Sequence, residues 1–462
     1  MRSYKGIGLV FLTLCNTTFA QPADESFRVL IKKKPQADLV FNSEKQLGKA
    51  LNLPVKAFTP VAGGSYSVVI DKTVNQHSID SVLRQLRKNP LISDAAEDRV
   101  GHFKPMDNAT SMQTNINLSH DMQWDEFKRP AGIMLESAPN LRDGAWALTT
   151  GRATKPVVVA VLDTGIALNA GLVNNLVKNQ NGEIWGWNFS SNNPDIIDET
   201  GTWHGTHVAG TIAGFSQVMI GVGEQLQILP VKIPDKTGMF YESQVINAIY
   251  WSVGGDMPGV PHNSYPAKVL NMSFGVDERP GKEIDICDSF LQDAINFARE
   301  KGAVVMVAAG NDNRYDHYNA PAVCNHTMIV ASTGPEGLRA YYSNYGSRVN
   351  FAAPGGDLTY GKLGGILSTV SPESGYQNSG FDFFQGTSMA TPHASGVAGL
   401  LYAVTDNTIT PEEVEQIMIA TAHPFGTTND PNKSCVGRKT CGSGIIDAEN
   451  AVKAALEEKG IK

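Results

Sequence analysis

Long apolar runs are what this 462-residue chain has least of. The one near its start, Gly6 to Cys15, is too short to cross a bilayer, and no later stretch is long enough, so a helical membrane span is not expected. Charge of one sign is scarce too: a net charge of −8 is mild and argues against nucleic acid as a partner. No C-x-x-C pair is present, which disfavours zinc. His204 and His207 lie three apart, but without the glutamate and spacing of H-E-x-x-H. Asp163-Thr164-Gly165 occurs with no second Asp-Thr-Gly or Asp-Ser-Gly, so a single chain cannot build a pair of aspartates sharing one proton. Internal repeats and low-complexity tracts are missing as well.

What is present begins with a removable leader. Arg2 and Lys5 precede the apolar Gly6–Cys15 run, and Thr18-Phe19-Ala20 closes it with small residues, the pattern of a secretory signal over residues 1–20. Leu14 before Cys15 argues against a lipoprotein. Cys287, Cys324, Cys435 and Cys441 then remain, an even number in an exported chain, which points to two disulfides. Cys435 with Cys441 closes a short loop and leaves Cys287 with Cys324. An exported chain of this kind is expected outside the cell or in the periplasm.

Residues 21 to about 110 read as a small α+β unit. Phe27–Ile31, Tyr66–Ile70 and Leu91–Ala96 look like strands, and Ile79, Val82, Leu83 and Leu86 follow one face of a helix that Asn89-Pro90 ends. Residues 111–139 lack periodicity and read as a polar linker and arm. From Val157 the texture changes to short continuous apolar runs: Val157–Leu162, Leu226–Val231, Val269–Met272, Ala303–Ala308 and Met328–Ala331. Such runs suit strands buried on both faces of a parallel sheet. Helical stretches alternate with them, at Ser243–Ser252 and Asp288–Lys301, so residues 140–462 are expected to form an α/β, doubly wound, mostly parallel domain. In such sheets the functional residues gather at the carboxyl ends of strands.

Four positions there could do chemistry. Asp163 ends an apolar run, where a carboxylate is costly unless paired. His204 opens a run of small residues, with His207 better read as a packed core histidine. Asn311 leaves the run Ala303–Ala308, where a turn residue or an amide donor would fit. Ser388 sits in Gly386-Thr387-Ser388-Met389-Ala390, before the small and apolar stretch Ala394–Ala403, on the first turn of a helix whose free N–H groups and dipole favour an oxyanion. A capping role for Thr387 or Ser388 is the plain alternative.

Taken together, Asp163–Gly165, His204–Thr211 and Gly386–Ala390 resemble the three signature blocks of the subtilisin-like serine proteases, in the Asp, His, Ser order known for subtilisin. The resemblance covers about residues 140–455. It implies a secreted serine endopeptidase with Ser388 as nucleophile, His204 as general base, Asp163 as its orienting partner, and Asn311 with the Ser388 N–H as oxyanion donors. It implies that extended substrate pairs with Ser273, Phe274 and Gly275 and with a second edge, Lys236–Phe240, around Gly238, and that Asn319–Pro321 shapes the primary pocket. Phe274 stands where the family commonly has a smaller aliphatic residue. Residues 21–110 would be a propeptide that inhibits the enzyme, released by a cut between Lys104 and Trp124. No cofactor is implied for catalysis, though a structural calcium ion is common in the family. Asn188, Asn192, Asn193, Asp195 and Asp198 offer oxygens without EF-hand spacing, so its ligands stay unassigned. The expected partners are protein substrates and the chain's own propeptide, on a monomer. The competing reading is an inactive binding protein that kept the fold. An α/β-hydrolase esterase is excluded by the absence of a G-x-S-x-G elbow and by Ser388 coming last.

Overall fold

The computed structural model describes residues 26–35, 37, 43–72, 78–103, 122–127, 131–138, 141–276, 286–371, 380–437 and 440–461. The leader, most of the stretch expected to hold the cut, and part of the arm lie outside the described residues. Four antiparallel strands come first: β1 (Ser26–Lys33), β2 (Val55–Val61), β3 (Ser65–Asp71) and β4 (Ile92–Glu97), in the order β2-β3-β1-β4. Helices α1 (Glu44–Leu51) and α2 (Ile79–Lys88) cover one face. The Ser78 side chain accepts the Ser81 amide and caps α2, whose Val82, Leu83 and Leu86 are buried, as their spacing predicts. Helix α1 and strand β2 are not among the elements expected from the sequence; β2 is mostly exposed and carries no clean alternation.

Strand β5 (Val100–His102) leaves this unit, and α3 (Trp124–Phe127) follows the undescribed stretch. The main sheet is built from β6 (Val158–Asp163), β7 (Trp187–Asn188), β8 (Gln227–Lys232), β10 (Val269–Met272), β11 (Val304–Ala308), β12 (Met328–Thr333) and β13 (Phe351–Pro354), every neighbouring pair parallel, in the order β13-β12-β11-β10-β6-β8-β7. All residues of β6, β10, β11 and β12 are buried, the reason their sequences run apolar instead of alternating. The chain is thus the expected doubly wound α/β domain preceded by a small α+β unit. Helices α4 (His204–Ala213), α7 (Thr387–Val404) and α9 (Ala448–Glu458) pack on one face, and α5 (Glu242–Ser252) and α6 (Ser289–Glu300) on the other. The polar-arm expectation fails at Trp124, Phe127, Ile133 and Leu135, which are buried in the core shared with α4, α7 and α9. Helix α8 (Pro411–Thr421) opens with a Thr410/Glu413 capping box, and the hairpin of β14 (Ile366–Thr369) and β15 (Phe381–Phe384) lies beside α4.

Both expected disulfides form, Cys287–Cys324 and Cys435–Cys441. The small unit docks on α5 and α6 through buried Leu30, Val61 and Ala62 and through polar contacts. Buried Asp98 accepts the Ser243 amide at 2.8 Å and its hydroxyl at 2.9 Å, placing a carboxylate on the first turn of α5. The Arg99 guanidinium reaches both Glu242 and Asp288, which open α5 and cap α6.

Candidate active site

The carboxyl ends of β6, β10 and β11 converge on the start of α7, and each contributes one element of the site. Asp163 is the last residue of β6 and is buried. Its Oδ1 accepts the Thr164 amide at 2.7 Å and lies 2.8 Å from His204 Nδ1 on the first turn of α4. Asp163 Oδ2 is buried without a hydrogen-bond partner among the described residues. The Oδ1–Nδ1 contact fixes the ring: Nδ1–H donates to Asp163 and leaves Nε2 as the acceptor. Burial opposes the charged ring, but the charge of Asp163 and its hydrogen bond outweigh this and raise the His204 pKa above the ordinary value near 6.5. Gly205 lets the first turn approach β6: a Cβ there would strike the Gly165 carbonyl.

His207 behaves as a core residue, as expected. Its Nε2 faces the carbonyls of Ile366 at 3.0 Å and Asp382 at 3.2 Å, its ring stacks on Phe384, and burial pushes its pKa down to about 3.

Ser388 follows Gly386, whose φ of 149° lies where only glycine sits comfortably. The turn places Ser388 on the first turn of α7, where N–H groups lack helical partners. Its hydroxyl donates to the Ser273 carbonyl at 3.0 Å. Asn311 is anchored from the same turn, because its Oδ1 accepts both the Thr387 amide at 2.9 Å and the Thr387 hydroxyl at 2.8 Å. The amide NH2 therefore points away from Thr387, and Asn311, Ser388 and His204 border one cavity of about 500 Å³.

Several supporting residues escaped the sequence reading. Pro392 lies inside α7 and has no N–H to give the Ser388 carbonyl. That carbonyl accepts the Ser273 hydroxyl at 2.9 Å instead; Asn271 donates to Ser273 at 3.0 Å and accepts from Ser395 at 2.8 Å. This buried chain ties the end of β10 to α7. Asn271 was visible only as a polar residue in an apolar run, the one signal that could have marked it.

Strand β5 covers the cavity. It pairs antiparallel with β9 (Met239–Tyr241), and the Phe103 amide continues the ladder to the Gly238 carbonyl at 2.9 Å. The Phe103 ring lies 5.5 Å from those of His204, Phe240 and Phe274. A Cβ on Gly238 would come within 2.7 Å of the Phe103 carbonyl, so glycine permits the approach of a peptide along this edge. Gly275 stands against Asn319, both on the cavity wall.

The loop considered for calcium is held by its own hydrogen bonds. Asn188, Asn193, Asp195 and Asp198 spend side-chain oxygens on amides of their own loop, and Asn192 accepts the Trp187 ring N–H.

A family model described as the subtilase family matches residues 154–448, well over half the chain. The chain belongs to the subtilase family. An extracellular protease of Xanthomonas campestris is 32% identical over 88% of this chain and 67% of its own length. An extracellular basic protease of Dichelobacter nodosus is 31% identical over 87% of this chain and 64% of its own. The chain therefore spans about two thirds of the length of these relatives. A solved protease of Pseudoalteromonas arctica is 36% identical, covers 72% of this chain and 97% of its own, and superposes with a TM-score of 0.59. Subtilases need no cofactor for catalysis.

Proposed function

We propose that this subtilase is a secreted serine endopeptidase made as a self-inhibited precursor. Ser388 attacks the scissile carbonyl while His204 Nε2 takes its proton; Asp163 holds the ring and stabilises its charged form. The oxyanion is met by the Asn311 amide and the Ser388 N–H, the proton passes to the leaving amine, and water then hydrolyses the Ser388 ester. The observation that carries this reading is the 2.8 Å Asp163–His204 bond on the wall of a cavity that Ser388 and Asn311 share. The test incubates purified precursor with casein, with and without a serine-directed covalent inhibitor, and sequences the new N-termini. Casein left intact would favour an inactive binding protein.

Asn311→Ala should lower turnover by roughly 10²–10³, the loss known for the corresponding donor of subtilisin, with KM little changed. A loss confined to KM would assign the oxyanion donor elsewhere.

Residues 21 to about 110 act in this reading as the inhibitor, with β5 and Phe103 seated like a substrate along the Gly238 edge. Ser273–Gly275 offers the facing edge, and Asn319 helps form the primary pocket. Unfolded protein is the substrate class, and secretion follows from the leader and from relatives named extracellular. Phe103→Asp should expose the site: a serine-directed probe should label Ser388 of uncut precursor at least tenfold faster, since a charge replaces an aromatic ring among three others. Equal labelling rates would reject this role for Phe103.

A further inference from the structure

Helix α3 places Asp125 and Glu126 against His393 of α7, all three buried. Candidate ligand atoms from the three residues lie within 4.8 Å of one another. His393 Nδ1 faces the Met389 carbonyl at 2.8 Å, so that nitrogen carries a proton and donates it. Nε2 then points at Asp125 Oδ2, 3.1 Å away, with Glu126 Oε1 at 3.9 Å. A neutral imidazole would aim a lone pair at two carboxyl groups, which requires a proton or a cation between them. One proton on Nε2 satisfies Asp125 Oδ2 and little else. It leaves Asp125 Oδ1 and both oxygens of Glu126 buried without a hydrogen-bond partner among the described residues. An uncompensated buried carboxylate costs several kcal/mol.

We propose that Asp125, Glu126 and His393 form a structural site for a divalent cation of the zinc class. Bonds of about 2.0–2.2 Å put neighbouring ligands of such a cation roughly 3.0–3.6 Å apart, a span that small side-chain movements would reach from the observed separations. A backbone carbonyl holding the far ring nitrogen is the usual support of a metal-bound histidine. The imidazole argues against calcium or magnesium, which take oxygen ligands, and the mixed N/O set suits zinc. A second carboxylate oxygen can complete four-coordination, and two carboxylates neutralise the ion. Bound there, the cation would fasten α3 to α7 one turn beyond Ser388, whatever the triad does.

The full chain carrying Ser388→Ala, which keeps the sample from being cut, is dialysed against Zn²⁺ and then against metal-free buffer. Metal content should be about one ion per chain, with a higher Tm than the chelator-treated sample. Glu126→Gln, nearly the same shape, should weaken Zn²⁺ binding at least tenfold at an unchanged far-UV spectrum. Absence of retained Zn²⁺, or equal binding by Glu126→Gln, would overturn the site; the cluster then holds a proton. Should that variant not fold, X-ray absorption of the Zn²⁺-loaded parent decides. One imidazole with carboxylate oxygens supports the site, and a shell of several imidazoles or of water rejects it.

Discussion

Ser388→Ala should abolish peptide hydrolysis and leave the precursor at full length. In the proposed mechanism alanine removes the atom that forms the ester while keeping the His204–Asp163 pair, the Asn311 amide and the cavity. The expected loss is on the order of 10⁶ in turnover, the figure established for subtilisin when its serine is removed. Folding should be little affected. Among the described residues the hydroxyl makes one hydrogen bond, to the Ser273 carbonyl, worth about 1 kcal/mol. Intact mass and N-terminal sequencing of a preparation free of other proteases make the measurement. A variant that still matured by itself would remove Ser388 from the role assigned to it.

Asp163→Asn should cost about 10⁴ in turnover, as triads that lose this carboxylate do, and should also move the pH profile. In the proposed mechanism only neutral His204 takes the serine proton, so kcat/KM should rise with pH as the ring deprotonates. Burial lowers the His204 pKa, and Asp163 more than restores it, so the unsubstituted enzyme should show its inflection above 6.5. Leaving the cover of Phe103 removes some burial, which acts in the same upward direction. With asparagine the charge is gone and burial remains, so the inflection should fall to lower pH along with the rate. The same rate loss with an unmoved inflection would show that Asp163 orients the ring without stabilising its charge.

The candidate site was legible because the chemistry proposed for it restricts residue types at strand ends and helix starts. Asp163, His204, Asn311 and Ser388 each had a bland reading alone, and only their joint order gave them meaning. The supports were not legible: Thr387 anchoring Asn311, and the chain Ser395–Asn271–Ser273 reaching a carbonyl that Pro392 leaves free, depend on contacts between distant segments. Trp124–Phe127 falls in the stretch expected to be a polar arm, because a four-residue helix shows no period, yet it lies in the main core.

By itself the sequence determined the layering of the catalytic part, since strands buried on both faces must be written as apolar runs, and it determined the family through short blocks whose atoms must meet. Which strand lies beside which, that β5 lies over the cavity, and that Asp125 and Glu126 face His393 were decided only by the tertiary structure. Local pattern records how far each residue is from water; it carries no record of which distant surface does the covering.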